Sequence, residues 1–171
     1  MYIETQRMIV RDFVFDDAQD LYEILGNEET MHYLEPAYDF EKTKAFLTSF
    51  CINRKGAVAA ICKENNKLIG YILFNKQAED LYEIGWIFNH KFLRQGYAYE
   101  SCKAVIDYAF KELHAYKIFA ETMDMIKSVP LMKKLGMQME NQQCSHCNEY
   151  QIDKNKLVVY ELVKQDWQKK K

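Results

Sequence analysis

Two hydrophobic rhythms interleave along this chain: short runs that alternate apolar and polar, and longer runs with apolar residues three and four apart. "RMIVRDF" (7–13) alternates and predicts a first strand. Asp16 and Gln19 form a D-x-x-Q capping pattern in front of "AQDLYEIL", which predicts a short amphipathic helix ending near Gly26. "EETMHYL" predicts a helical turn or two, stopped by Pro36, whose ring disfavours helical geometry at Glu35. Asp39 is placed to cap a helix through "FEKTKAFLTSFCINR" that buries Phe40, Phe46, Leu47 and Phe50. "GAVAAICKE" and "KLIGYILFN" read as strands joined by a hairpin at Asn65-Asn66, and "DLYEIGWIF" (80–88) as a third.

The clearest helical stripe follows. Ala98, Cys102, Val105, Ile106, Ala109, Phe110 and Leu113 line one side of a helix from Tyr97 to Leu113. "KIFAETM" (117–123) predicts a buried strand. "SVPLMKKLG" (128–136) predicts a helix with Ser128 as its cap, Pro130 in its first turn and Gly136 at its end. "MQMENQQCS" and "KLVVYELVKQDW" close the chain as two more strands. Helices mix with both hairpin- and crossover-connected strands, so the class is α+β. No repeat or Pro/Gly-rich linker divides the chain, and one domain over 1–171 is the expectation.

Composition narrows the function classes. With 49% apolar residues in 171, disorder is set aside, and a net charge of −2 gives no basic footprint for nucleic acid. The terminal "QKKK" reads as a solvated tail. "MYIETQRMIV" meets charge within four residues, and "GAVAAIC" and "YILF" are too short to span a bilayer, so a cytoplasmic chain with no membrane partner is expected. Five cysteines suit a reducing compartment. Cys144 and Cys147 flank His146 in "QCSHCNEY", a pair without a second ligand pair for zinc and without the strand-then-helix setting of a redox motif. They read as ordinary thiols, and no metal is expected.

"FLRQGYAYE" (92–100) carries the candidate chemistry. A strand, a short polar loop, a glycine and a helix together form an anion site, because first-turn amides lack intrahelical partners and carry the positive end of the macrodipole. Gly96 has no side chain to keep a phosphate away, Ala98 is small, and Arg94 adds positive charge. The chain contains neither G-x-x-x-x-G-K-[ST] nor G-x-G-x-x-G. What fits is a nucleotide-tailed carrier with its pyrophosphate on the helix and its arm along "EIGWIF", although a glycine at such a joint also serves as a plain turn.

"EIGWIFNHKFLRQGYAYESCKAVIDYAF" resembles motif A of the GNAT superfamily of N-acetyltransferases, where a strand, a Q/R-x-x-G-x-G/A loop and a helix hold acetyl-coenzyme A. The "GYA" triplet, the opening "IETQRMIVRDFVFDDAQDLYEI" and "LMKKLGMQME" are similar to its RimJ/RimL-like branch, which acetylates protein N-termini and small-molecule amines. The resemblance runs from about residue 3 to Trp167 and implies a mixed, largely antiparallel central sheet with a splayed strand at the cofactor site and helices on both faces. Leu93 stands at the first loop position, Met125 at the branch's Asn position, and Met132 where many relatives carry a Tyr general acid.

By that resemblance Trp86, Ile87 and Phe88 line the pantetheine arm, Arg94, Gln95, Gly96, Tyr97, Ala98 and Tyr99 hold the pyrophosphate, and Gly85 marks a bulge where the strand splays. Acetyl transfer needs the thioester positioned, a donor for its carbonyl, a base for the ammonium and a proton for the leaving thiolate. Glu83 is the first candidate base, with a plain strand carboxylate as the bland alternative. His146 and Glu149 are its rivals on the acceptor side. Ser128 is a candidate acid as well as a cap, and Tyr33, Glu35 and Tyr38 border the acceptor pocket. The expected partner is an amine, on a small molecule or a protein N-terminus, with homodimerisation left open. A CoA-binding module without turnover and an interaction domain keeping only the fold are the alternatives.

Overall fold

The computed structural model describes residues 1–32, 34–140 and 157–169. The described strands form one sheet: β1 (Tyr2–Glu4), β2 (Met8–Asp12), β3 (Ala57–Cys62), β4 (Lys67–Ala78), β5 (Leu81–Phe88) and β6 (Lys117–Thr122) lie in chain order, and β7 (Gln138–Met139) sits at the far edge outside β8 (Val158–Val163). Among the described pairs, only β5 and β6 run parallel.

Both faces of this sheet are covered. α1 (Ala18–Leu25), α2 (Glu28–Met31) and α3 (Phe40–Phe46), which runs on into a π-helical stretch over Leu47–Asn53, pack on one face. α4 (Tyr97–Lys111) and α5 (Ser128–Leu135) pack on the other. Alternation along β4 feeds both cores: Ile72 and Phe74 face α4, while Tyr71 and Leu73 face α1 and α3. β3 lies under both layers, which is why "AVAAIC" is buried at all six positions and does not alternate. α6 (Lys164–Gln168) closes over α4, where Trp167 packs 5.2 Å from Phe110 and donates to Asp107 at 2.6 Å.

Much of the expected organisation is present. The β3–β4 hairpin turns at Asn65-Asn66, with Asn66 at φ 53 and the Asn65 side chain accepting from the Lys67 amide at 3.1 Å. Asn tolerates that left-handed geometry better than most residues. Asp39 caps α3 through the Lys42 amide at 2.7 Å, and Gly136 ends α5 at φ 93.

Other expectations need correction. Neither Asp16 nor Gln19 caps α1: Asp17 is the buried carboxylate there, accepting from the Val14 amide and from Arg11 Nη1 and Nη2 at 2.7–2.8 Å. An exposed cap is replaced by a part-buried pair, six residues apart, that ties β2 to the helix. Ser128 is not the cap of α5 either, because Lys127 occupies that position and the Asp124 carboxylate takes the Ile126 and Lys127 amides at 3.0 and 2.9 Å. α4 ends at Lys111, short of Leu113. "KIFAETM" alternates between buried and open positions, because only one face of β6 meets the α4 core. The final strand stops at Val163 and "KQDW" turns into α6. The Cys144–Cys147 pair lies outside the described residues.

Candidate active site

The site begins where two strands part. β5 and β6 pair over Leu81–Lys117, Tyr82–Ile118 and Glu83–Phe119, and there the parallel ladder ends. Beyond it β5 stays with β4 as far as Phe88, while β6 stays with β8 as far as Thr122. The Asn89 amide donates to the Ile69 carbonyl at 2.9 Å, which sets the phase of the β4–β5 ladder. By strict alternation, the main-chain groups of Ile84, Trp86 and Phe88 therefore turn toward the gap left by β6.

The splay does not arise from a bulge at Gly85. Gly85 sits in unbroken register opposite Leu73, and a Cβ added there would make only ordinary contact, at 3.4 Å. The irregularity lies in the partner strand, between Lys76 and Ala78, so Gln77 is the extra residue. Its side-chain amide donates to the Glu83 carboxylate at 2.6 Å. Trp86 packs toward α4 and Ile87 toward the opposite core, whereas the Phe88 side chain is itself core. Phe88 can offer the gap only its backbone.

A short 3₁₀ turn (His90–Phe92) carries β5 into α4. The intervening loop is exposed and uses left-handed geometry at Arg94 (φ 60) and Gly96 (φ 85), the latter being the cap of α4. The first intrahelical bond is donated by Glu100 to the Gly96 carbonyl at 3.0 Å. The preceding amides of Tyr97, Ala98 and Tyr99 thus come from the first turn, which has no intrahelical acceptor. Gly96 supplies both the positive φ and an open approach, since a Cβ there would meet only Arg7 Nη2, at 3.2 Å. Of the six loop residues, Tyr97 alone is buried: its ring faces the core, edge-on to Phe92 at 6.2 Å, so it too offers a backbone amide. Lys134 lies 4.5 Å over the Tyr99 ring and adds positive charge beside the helix start. Amides without intrahelical acceptors at a helix N-terminus, nearby cations and an adjacent strand edge with no ladder partner among the described residues together fit a pyrophosphate with an extended arm.

The opposite face of β5 holds the acidic residues. Glu83 shares the face of Tyr71 and Leu73. Burial, then Cys51, Tyr38, Glu83 and Glu35, push the Tyr71 phenol far above its ordinary range, so both carboxylates lie within electrostatic reach of this one ring. Tyr38 donates to Glu35, and burial and that carboxylate push its phenol up as well. Lys42 completes the group, with its ammonium 3.7 Å above the Tyr38 ring and 3.3 Å from Glu35. An aromatic face and a carboxylate thus flank a primary ammonium at the surface. Tyr33, His146 and Glu149 lie outside the described residues.

On the α5 side, Ser128 is half-buried, and its hydroxyl has no hydrogen-bond partner among the described residues. Met132 is buried in the α4 core and Met125 is exposed. Three residues of the candidate site escaped the sequence reading: Gln77, Lys42 and Arg7. The first depends on a bulge one strand away, and the other two on partners seven and 93 residues distant. Only "ETQRMIV" hinted at Arg7, as part of a longer match.

The acetyltransferase (GNAT) domain family matches residues 7–138. The uncharacterized N-acetyltransferase YnaD of Bacillus subtilis (strain 168) is 36% identical over 143 residues, covering 82% of this chain and 84% of that one. The crystal structure of the GNAT-family acetyltransferase from Bacillus anthracis superposes with a TM-score of 0.84 at 30% identity, over 96% of this chain and 99% of that one. Spermidine N-acetyltransferase from Vibrio cholerae, solved with CoA and spermine, shares the fold at a TM-score of 0.75 and 17% identity, covering 96% and 99%. The chain belongs to the GNAT acetyltransferases. It is an N-acetyltransferase, of a family that uses acetyl-CoA.

Proposed function

We propose that the protein transfers the acetyl group of acetyl-CoA directly to a primary amine, as a RimJ/RimL-like enzyme of one domain working in the cytoplasm. The observation that carries this reading is the end of the β5–β6 ladder at Glu83, immediately before the free edge that leads into the Gly96 loop. Acetyl-CoA, when bound, supplies an activated acetyl thioester. Its pyrophosphate is assigned to the amides from Gln95 to Tyr99 and to the charge of Arg94, and its arm to the main chain of Ile84, Trp86 and Phe88, with Ile87 alongside. One of those strand amides donates to the thioester carbonyl as negative charge develops.

Glu83 takes the proton of the acceptor ammonium, directly or through a water, and Gln77 holds its carboxylate in place. Ser128, freed from capping, is the hydroxyl assigned to the leaving thiolate. Glu35 and Tyr38 receive the acceptor amine. Lys42 supports that role, because its own ammonium already sits against this aromatic and acidic pair. Among the described residues, no helix is long and apolar enough to cross a membrane. The acceptor is a small-molecule amine or a protein N-terminus, and homodimerisation is compatible with either. Incubation with labelled acetyl-CoA and a panel of amines tests the reading by label transfer.

A second reading, acetyl-CoA binding without efficient turnover, has one observation in its favour. The position that carries a Tyr acid in many relatives is Met132, buried in the core and unable to donate.

A further inference from the structure

Arg7 lies between β1 and β2, far in sequence from the Gly96 loop, yet it touches the loop at three points. Its Nη1 donates to the Gln95 carbonyl at 2.9 Å, its guanidinium carbon lies 4.5 Å from the centre of the Tyr97 ring, and Nη2 sits 3.2 Å from where a Gly96 Cβ would be. The side chain is itself held. Glu100 accepts from Arg7 Nε at 2.7 Å and from the Arg7 amide at 2.8 Å, and Thr5 donates to the same carboxylate at 2.6 Å.

The peptide unit turns these contacts into a function. In a trans peptide the carbonyl and the next N–H point in opposite directions. With the Gln95 carbonyl drawn to Arg7, the Gly96 N–H points away from Arg7, to the outer side of the loop. Left-handed geometry at Arg94, a non-glycine residue, carries local strain that surrounding contacts must hold. We infer that Arg7, braced by Glu100 and Thr5, is a positioning residue that fixes the Gly96 peptide and so aims the loop amides at the acetyl-CoA pyrophosphate.

This inference rests on the acetyl-CoA reading of the loop. Lysine cannot replace the brace, because it has one nitrogen where the guanidinium uses Nε, Nη1 and its flat face at once. The charge is kept in Arg7→Lys and only the fork is lost. The test measures acetyl-CoA affinity by calorimetry, KM and kcat, and the amide chemical shifts of Gly96 and Tyr97 in the ligand-free protein, for Arg7→Lys, Glu100→Gln and Gly96→Glu.

For Arg7→Lys we expect roughly tenfold weaker acetyl-CoA binding, as loss of a charge-assisted hydrogen bond gives. The KM of the amine and kcat at saturation hold, and the amide chemical shifts of Gly96 and Tyr97 move without ligand. Glu100→Gln, which keeps the side chain's shape, shifts the same quantities less and serves if Arg7→Lys does not fold. If Gly96→Glu loses affinity while both brace variants keep it, Arg7 does not position the loop and the inference is overturned. If Gly96→Glu also keeps wild-type affinity, the loop assignment has failed and the brace goes with it.

Discussion

Gln77 donates its side-chain amide to the Glu83 carboxylate at 2.6 Å, from the bulge that interrupts the strand alongside. This bond holds one carboxylate oxygen on the last rung of the parallel ladder and leaves the other for a proton. If Glu83 is the base, Glu83→Gln lowers kcat by roughly 10²- to 10⁴-fold while acetyl-CoA affinity holds. Gln77→Leu lowers kcat less. A loss below threefold in Glu83→Gln with a good acceptor makes the pair a structural contact only.

The acceptor side is tested by opposite signs. Glu35→Gln raises the KM of a cationic amine by roughly fivefold, the effect of about 1 kcal/mol for a solvent-screened ion pair. Lys42→Gln removes the internal ammonium that competes for the same site, so its KM falls or stays level. A rise in KM for Lys42→Gln means that Lys42 helps to hold the acceptor or the pocket, and removes its support for an amine site.

The turn leading into α5 separates Asp124 from Ser128. Asp124→Ala costs about 0.5–2 kcal/mol of stability, since two amides lose their acceptor. Ser128→Ala stays within about 0.5 kcal/mol. Urea unfolding of both variants measures this, and activity of the folded Ser128→Ala enzyme then reports on the thiolate without a stability confound. Full activity assigns the thiolate's exit to water.

Acid stability tests the brace from another direction. Burial works against the Glu100 carboxylate, but Thr5 and Arg7 outweigh it and hold the group below its ordinary 4.5. A carboxylate lowered on folding stabilises above its unfolded pKa, and this contribution is lost as pH falls through the folded one. Glu100→Gln therefore flattens the decline in Tm on the acid side of about pH 4.5, where wild type loses this contribution. Equal slopes in the two proteins contradict the pairing in solution.

What the sequence disclosed and what it hid divide by range. Local signals were legible: the Asn65-Asn66 hairpin, the Asp39 cap, the α4 stripe and the Gly96 and Gly136 helix ends are each encoded within a few residues. Caps failed where a neighbouring carboxylate had a stronger reason to be there. Asp17 serves Arg11 as well as Val14, and Asp124 reaches two amides ahead of Ser128. The splay was foreseen but the bulge was misplaced, because the bulge at Gln77 is a property of the β4–β5 pairing and leaves no mark in "EIGWIF". Arg7 was invisible as a site residue, since nothing near it in sequence names Gln95 or Glu100.

The most direct measurement follows the acetyl group itself. Purified protein is incubated with acetyl-CoA labelled in the acetyl group and with mono-, di- and polyamines and N-terminal peptides, and label and free thiol are counted together. The account predicts label on a primary amine with one thiol released per transfer, and loss of both in Gly96→Glu. Tight acetyl-CoA binding with no transfer to any amine would contradict it in favour of a binding module, and the absence of binding would leave only the fold.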